Sequence, residues 1–182
     1  MKKNLLFLFL IGLSLFGQAQ SLEPMEESSM VTFKIKNFGV MVDGTFTGLK
    51  GKIIFNPCNL VTSSFDVSIN SNSVNTGIDM RDNHLRKPDY FDVKQYPLIR
   101  FVSTKVEVGK NSSEYLVTGH ITIKKKTIEI KIPFTALPQH DGYLFEGKFS
   151  MNRRDFNVGG SSISMADNLL VSLKVLATSV KQ

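Results

Sequence analysis

A chain of 182 residues with 42% hydrophobic, 21% charged and 10% aromatic side chains has the balance of one folded domain, which excludes a disordered tail, a collagen and a multi-span membrane protein. Fourteen Phe, no Trp, three His and a single Cys supply a core but little material for a metal cluster and none for an internal disulfide. The formal charge of +6 raises nucleic acid as a partner, yet no basic groove interleaved with aromatics is present, so that class is set aside.

Two of the lysines, Lys2 and Lys3, open the chain, and an apolar run over 5–16 follows them. Gly17-Gln18-Ala19 then places small residues at the −3 and −1 positions of a signal-peptidase site. Residues 1–19 therefore read as a cleavable signal peptide, with a periplasmic or secreted destination for the rest. The apolar run is short of the roughly 20 residues a spanning helix needs, and no Cys follows it to be lipidated, so stable membrane insertion is not expected. Residues 20–29 read as an N-terminal extension, and 30–182 as one barrel domain.

Along nearly all of that domain the hydrophobic period is two. Val31, Phe33 and Ile35 alternate with Thr32, Lys34 and Lys36, as a strand with one wet face should. The stretch 42–55 is also extended but carries Gly44, Gly48 and Gly51, which predicts bulges or bends where a sheet curves. Phe65, Val67 and Ile69 repeat the alternation, and a further strand covers 98–108. Val117, Gly119, Ile121 and Ile123 follow, then Ile128, Ile130, Ile132 and Phe134, then Phe145, Phe149 and Met151, and last Val171, Leu173, Val175 and Ala177. Between the third and fourth of these runs, residues 75–96 are dense in charge and turn formers. That segment predicts a short helix ending before Pro88, with Asp79 or Asp82 as its cap, inside a lid that carries Tyr90, Phe91 and Val93 to pack inward. Cys58, in an Asn-Pro-Cys-Asn turn, has no base beside it and reads as inert.

About eight strands in meander order predict an all-β fold, either a sandwich or a closed barrel, and the bends favour closure. An eight-stranded barrel has an interior that side chains fill or that holds one small ligand. The inward set is Phe33, Ile35, Phe46, Phe65, Val67, Ile69, Phe101, Val117, Ile121, Ile130, Phe145, Phe149 and Leu173, so whatever enters is apolar.

Asn75-Thr76-Gly77, Arg81-Asp82-x-His84-Leu85, Asp89-Tyr90-Phe91-Asp92-Val93 and Tyr96-Pro97-x-Ile99-x-Phe101-x-Ser103 together resemble the signature of the YceI-like family. Thr118-Gly119-His120-Ile121-Thr122-Ile123-Lys124 and Arg153-x-Asp155-Phe156 follow in matching order. The resemblance covers about residues 30–178. It implies a closed eight-stranded antiparallel barrel of lipocalin-like architecture, exported by bacteria, that binds polyisoprenoid or other long amphiphilic chains in a tunnel. Three positions depart from the family pattern: Asn37 stands where many members carry His, Asn157 where Gly is usual, and the Lys124-Lys125-Lys126 turn lacks a Gly.

Asp82, His84 and Asp92 can be drawn as an acid–base set, but Arg81, Asp82, His84 and Phe91 read better as lid and packing residues, with Arg81 and Asp82 tying the lid to the rim. His120 falls on an outward strand face and His140 in a loop, so no three-His zinc site assembles. Arg153 and Arg154 are the candidates for contact with a phosphate or carboxylate headgroup at the rim, an ion pair being the alternative. The expected function is export followed by holding a polyisoprenoid, isoprenoid quinone or fatty-acid derivative in the tunnel for transport, storage or sequestration. No catalyst, cofactor or metal is called for, and a homodimer is compatible with this. An enzyme acting on lipid in the same barrel, or an interaction module with a filled interior, are the competing classes.

Overall fold

The computed structural model describes residues 20–111 and 113–179, so residues 1–19, read above as a signal peptide, lie outside the described residues. The strands are β1 (Gln20–Pro24), β2 (Met30–Asn37), β3 (Val40–Phe46), β4 (Lys50–Phe55), β5 (Ser64–Asn70), β6 (Leu98–Val108), β7 (Glu114–Ile123), β8 (Lys126–Gln139), β9 (Gly142–Asn152) and β10 (Met165–Ser179). These ten segments form one sheet in the order β1-β4-β5-β6-β7-β8-β9-β10-β2-β3, and a further β1–β10 pairing closes it into a ring.

The ten segments make eight staves. β1 and β2 lie end to end along the same edge of β10, with Pro24 opposite Ala177 and Met30 opposite Lys174. A single turn of 3-10 helix at Glu26–Ser28 loops out between them. β3 and β4 are broken at the matching level, β3 pairing with β2 and β4 with β1. Gly51 sits just past that break at φ 135°, with the Asp66 carbonyl so close that no Cβ would fit, which is the bend its glycine spacing predicts. All neighbouring staves are antiparallel. One boundary changes: residues 20–29, read as an extension, supply β1, which is paired on both edges. The pattern of two is too short over five residues to announce a strand. Its Leu22 is nonetheless fully buried.

The two ends of the barrel differ. At the end that holds the β6–β7 and β8–β9 connections, rings fill the interior. Phe55 meets Tyr143 and Phe145 edge-on at centroid separations of 5.0 and 5.3 Å, Phe65 meets Phe145 at 5.6 Å, and Phe134 stacks on Tyr115 at 5.4 Å. Edge-to-face pairs of this kind add about 0.5–1.5 kcal/mol each beyond area burial. Burial in this cluster raises the Tyr143 phenol above its ordinary value of 10.0, with Tyr115 adding to the effect.

At the opposite end the chain between β5 and β6 crosses over the opening as the lid. Its helix α1 (Asp79–Leu85) ends before Pro88, but neither Asp79 nor Asp82 caps it: the N-cap is Ile78, without a side-chain bond. Asp82 instead reaches back, accepting hydrogen bonds from the backbone N–H and the hydroxyl of Thr76. β8 and β9 pair only from Phe134–Gly147 to Gln139–Gly142, so their lid-end halves stand apart. The turn Arg153–Phe156 packs into this part of the wall, with Phe156 1% exposed.

Candidate functional site: an apolar cavity beneath the lid

The lid half of the barrel encloses a cavity of about 210 Å³. Of the inward set, Phe33, Ile35, Phe46, Val67, Ile69, Phe101, Ile121, Phe149 and Leu173 line it. Phe65, Val117, Ile130 and Phe145 do not. Phe65, Val117 and Phe145 are buried in the core, the two phenylalanines within the aromatic cluster at the far end. Ile130, on the half of β8 that leaves β9, is only half buried. Alternation assigns a side chain to a face of the sheet, but its level along the barrel axis depends on stagger, which no single strand's pattern contains.

Two cavity phenylalanines lie flat against the wall because the wall has no side chain there. The Phe33 ring covers Gly44, its partner across the β2–β3 pair, and the Phe101 ring tip lies 2.6 Å from where a Cβ on Gly119 would stand. A larger residue at Gly44 would drive the Phe33 ring into the lumen, and one at Gly119 would meet the Val102 carbonyl at 2.5 Å as well as the Phe101 ring. The glycines thus keep the space open. The lid contributes the remaining wall through Leu85, Tyr90 and Phe91, while Ile123, Met151, Val158 and Leu169 complete it from the staves and the β9–β10 connection.

Polar groups at the site are few and mostly committed to one another. Arg153, 4% exposed, donates to the carbonyls of Val158, Gly160, Ala166 and Met165 and to the Asp167 carboxylate at 2.8 Å. These bonds fold the β9–β10 connection around the guanidinium and leave no donor for a headgroup. Arg154 is half exposed and stands 3.6 Å from the same carboxylate. The pair is therefore a rim ion-pair cluster, the alternative the sequence left open. Arg81 donates through Nε and Nη2 to the hydroxyl and carbonyl of Thr76. Arg81 and Asp82 thus organise the lid internally through Thr76 rather than binding it to the barrel rim. Arg86 likewise works within the β5–β6 connection, donating to the carbonyls of Asn72 and Val74. The lid is tied to the barrel by the backbone pair between Thr45 and Asn75, and by Lys124 Nζ, which donates to the carbonyls of Pro88 and Asn157 at 2.9 and 3.0 Å.

His84 is exposed and packs its ring on Tyr90 at 4.9 Å, so it faces away from the lumen. No histidine, carboxylate or thiol is among the residues lining the cavity. His120 and His140 are exposed, the latter bonded to Asp141. Among the described residues no cluster of His, Cys, Asp or Glu is placed to hold a metal ion, and no helix is long and apolar enough to cross a membrane. Arg100 and Asp66 form a bidentate pair across the outer face of β5 and β6 at 2.7 and 2.9 Å, and the guanidinium holds the Asp66 carboxyl below its ordinary value.

The mouth is flanked by exposed apolar side chains. Phe38, Val40 and Met41 form the tip of the β2–β3 hairpin, Ile78 and Met80 the start of the lid, and Ile163 the neighbouring connection. Phe38 is held there at φ 48° and 81% exposed, its N–H donating to Ser164. The other departures from the resemblance have local solutions: Asn157 adopts φ 54°, a region Asn tolerates where Gly is usual, and Lys124 adopts φ 55° with its ammonium bonded.

Residues 22–177 match the model of the YceI-like domain. The chain is 31% identical over 173 residues to protein YceI of Salmonella arizonae, covering 87% of this chain and 88% of that one. The crystal structure of BcnA from Burkholderia cenocepacia superposes with a TM-score of 0.78 at 26% identity, covering 84% of this chain and 98% of its own. A polyisoprenoid-binding domain from Saccharophagus degradans shares the fold at a TM-score of 0.71 and 16% identity, covering 90% of this chain and all of that one. With the family model matching residues 22–177 and 31% identity to the Salmonella arizonae protein over most of both chains, the chain belongs to the YceI-like family.

Proposed function

We propose that this protein is exported after cleavage behind Ala19 and holds a long apolar chain, such as a polyisoprenoid, an isoprenoid quinone or a fatty-acid derivative, inside its barrel for transport, storage or sequestration. The observation that carries this reading is the wall of the cavity, built almost wholly of aliphatic and aromatic side chains beneath a lid. Each methylene moved there from water contributes roughly 0.8 kcal/mol, against ordering costs that a preformed cavity keeps small. The exposed apolar residues around the mouth offer an entering chain an apolar path beside the ion-pair cluster at the rim. The polyisoprenoid-binding description of the Saccharophagus degradans domain points to the same ligand class.

The reading is binding without chemistry. General acid–base catalysis needs a titratable group within hydrogen-bond reach of the reacting atom, and the lining supplies no His, Asp, Glu, Cys or Lys, its phenol Tyr90 having a His84 ring packed on it. Native mass spectrometry of protein purified from its own periplasm or medium, followed by lipid extraction, tests both halves. The expected result is a chain beginning at Gln20 that carries an intact apolar lipid. Protein retaining Met1 in the membrane fraction overturns export, and lipid-free protein overturns the binding role. A product formed from that lipid by wild type but not by His84→Ala overturns the absence of chemistry.

A further inference from the structure

The inward residues of β2 run Val31, Phe33, Ile35 and then Asn37. The last is a polar residue in an apolar row. Asn37 lines the cavity at the lid end, where its backbone pairs with Met165 on one side and Val40 on the other. Its side-chain Oδ1 is buried with no hydrogen-bond partner, the one such side-chain atom among the described residues. Leaving a buried acceptor unsatisfied is costly, and native structures leave few of them. The cations in the cavity wall are engaged elsewhere: Arg153 by carbonyls and Asp167, and Arg81 through Nε and Nη2 by Thr76.

We propose that Asn37 is the headgroup subsite of the cavity: its Oδ1 accepts a hydrogen bond from a hydroxyl at the polar end of the bound chain, so the preferred ligands are long-chain alcohols or phenols. This rests on the apolar-chain reading above. A carbonyl, ether, carboxylate or phosphate head offers no donor: it can accept from the Asn37 Nδ2 amide but leaves Oδ1 unpaired. The apolar tail is then held by the Phe33, Phe101 and Phe149 walls. A quinol is taken in preference to its quinone, since only the reduced form offers O–H groups.

The test uses displacement of a fluorescent prenyl probe by geranylgeraniol and by its methyl ether, which share a chain and differ in one donor. One net hydrogen bond corresponds to about 2–10-fold, so wild type should bind the alcohol tighter than the ether by that factor. Asn37→Leu, of similar volume, should bind both equally, and its ligand-free form should melt a few degrees higher because the orphaned acceptor is gone. That melting shift also shows that the variant folds. Equal affinities in wild type, or a preference for the alcohol that persists in Asn37→Leu, overturn the assignment of Asn37 while leaving the chain-binding reading standing. Failure of wild type to bind either compound overturns both.

Discussion

The ring of Phe46 on the barrel wall meets the ring of Phe91 in the lid edge-on, with centroids 5.4 Å apart and planes at 87°. Both side chains line the cavity, so one contact closes the lid and builds the site. Phe46 also touches Phe33 at 5.7 Å, which carries the contact to the ring lying on Gly44. Replacing Phe91 with Ala should cost ~1–3 kcal/mol in unfolding free energy and speed release of a bound prenyl probe. Chemical denaturation and stopped-flow displacement measure the two effects. A slower release would show that the lid does not gate the cavity.

Lys124 offers a way to separate lid attachment from backbone strain. Lys124→Ala removes the two bonds to Pro88 and Asn157 and keeps the left-handed backbone, so a loss of ~1–2 kcal/mol is expected. Lys124→Gly removes the same bonds but relieves the strain, returning about 1 kcal/mol. The two variants should therefore differ in melting temperature and agree in a faster ligand exchange than wild type.

Gly44→Ala puts a methyl group where the Phe33 ring now lies. The ring must turn into the lumen, and affinity for a prenyl alcohol should fall about tenfold, the equivalent of a mild overpacking cost. Titration of the same ligand against Gly39→Ala is the control. Gly39 also has a positive φ but meets nothing within 4 Å, so its change strains the backbone without entering the cavity.

Phe145 sits in the aromatic cluster beyond the inner end of the cavity. Phe145→Ala should destabilise the protein by ~3–5 kcal/mol and open space toward the far end. A series of prenyl alcohols of increasing length, measured on both proteins, should show the variant gaining relative affinity for the longer members. An unchanged length profile would mean that the cluster collapses rather than opens.

Much of the fold was legible because a period of two is a local property. Phe33, Val67 and Phe149 each announce their facing by their polar neighbours, and the charged segment 75–96 announces itself as something other than strand. The signature residues Arg81, Asp82 and Arg153 stood out in the sequence, but their tasks did not. Asp82, 4% exposed, answers to Thr76, and Arg153 to carbonyls of the connection that follows it. Such partners are fixed by how a turn closes on itself, which residue type alone does not specify.

Depth along the barrel was decided only in three dimensions. Phe149 and Phe145 lie on one strand with the same facing, yet one lines the cavity and the other packs among the rings that fill the far end. The sequence determined which face each occupies. Stagger between neighbouring staves, the parting of β8 from β9 and the broken first two staves determined the level at which each meets its opposite wall. Facing follows from the alternation of one strand's own Cβ atoms, whereas level follows from hydrogen-bond register among all eight staves closing on themselves, and only the closed structure contains it.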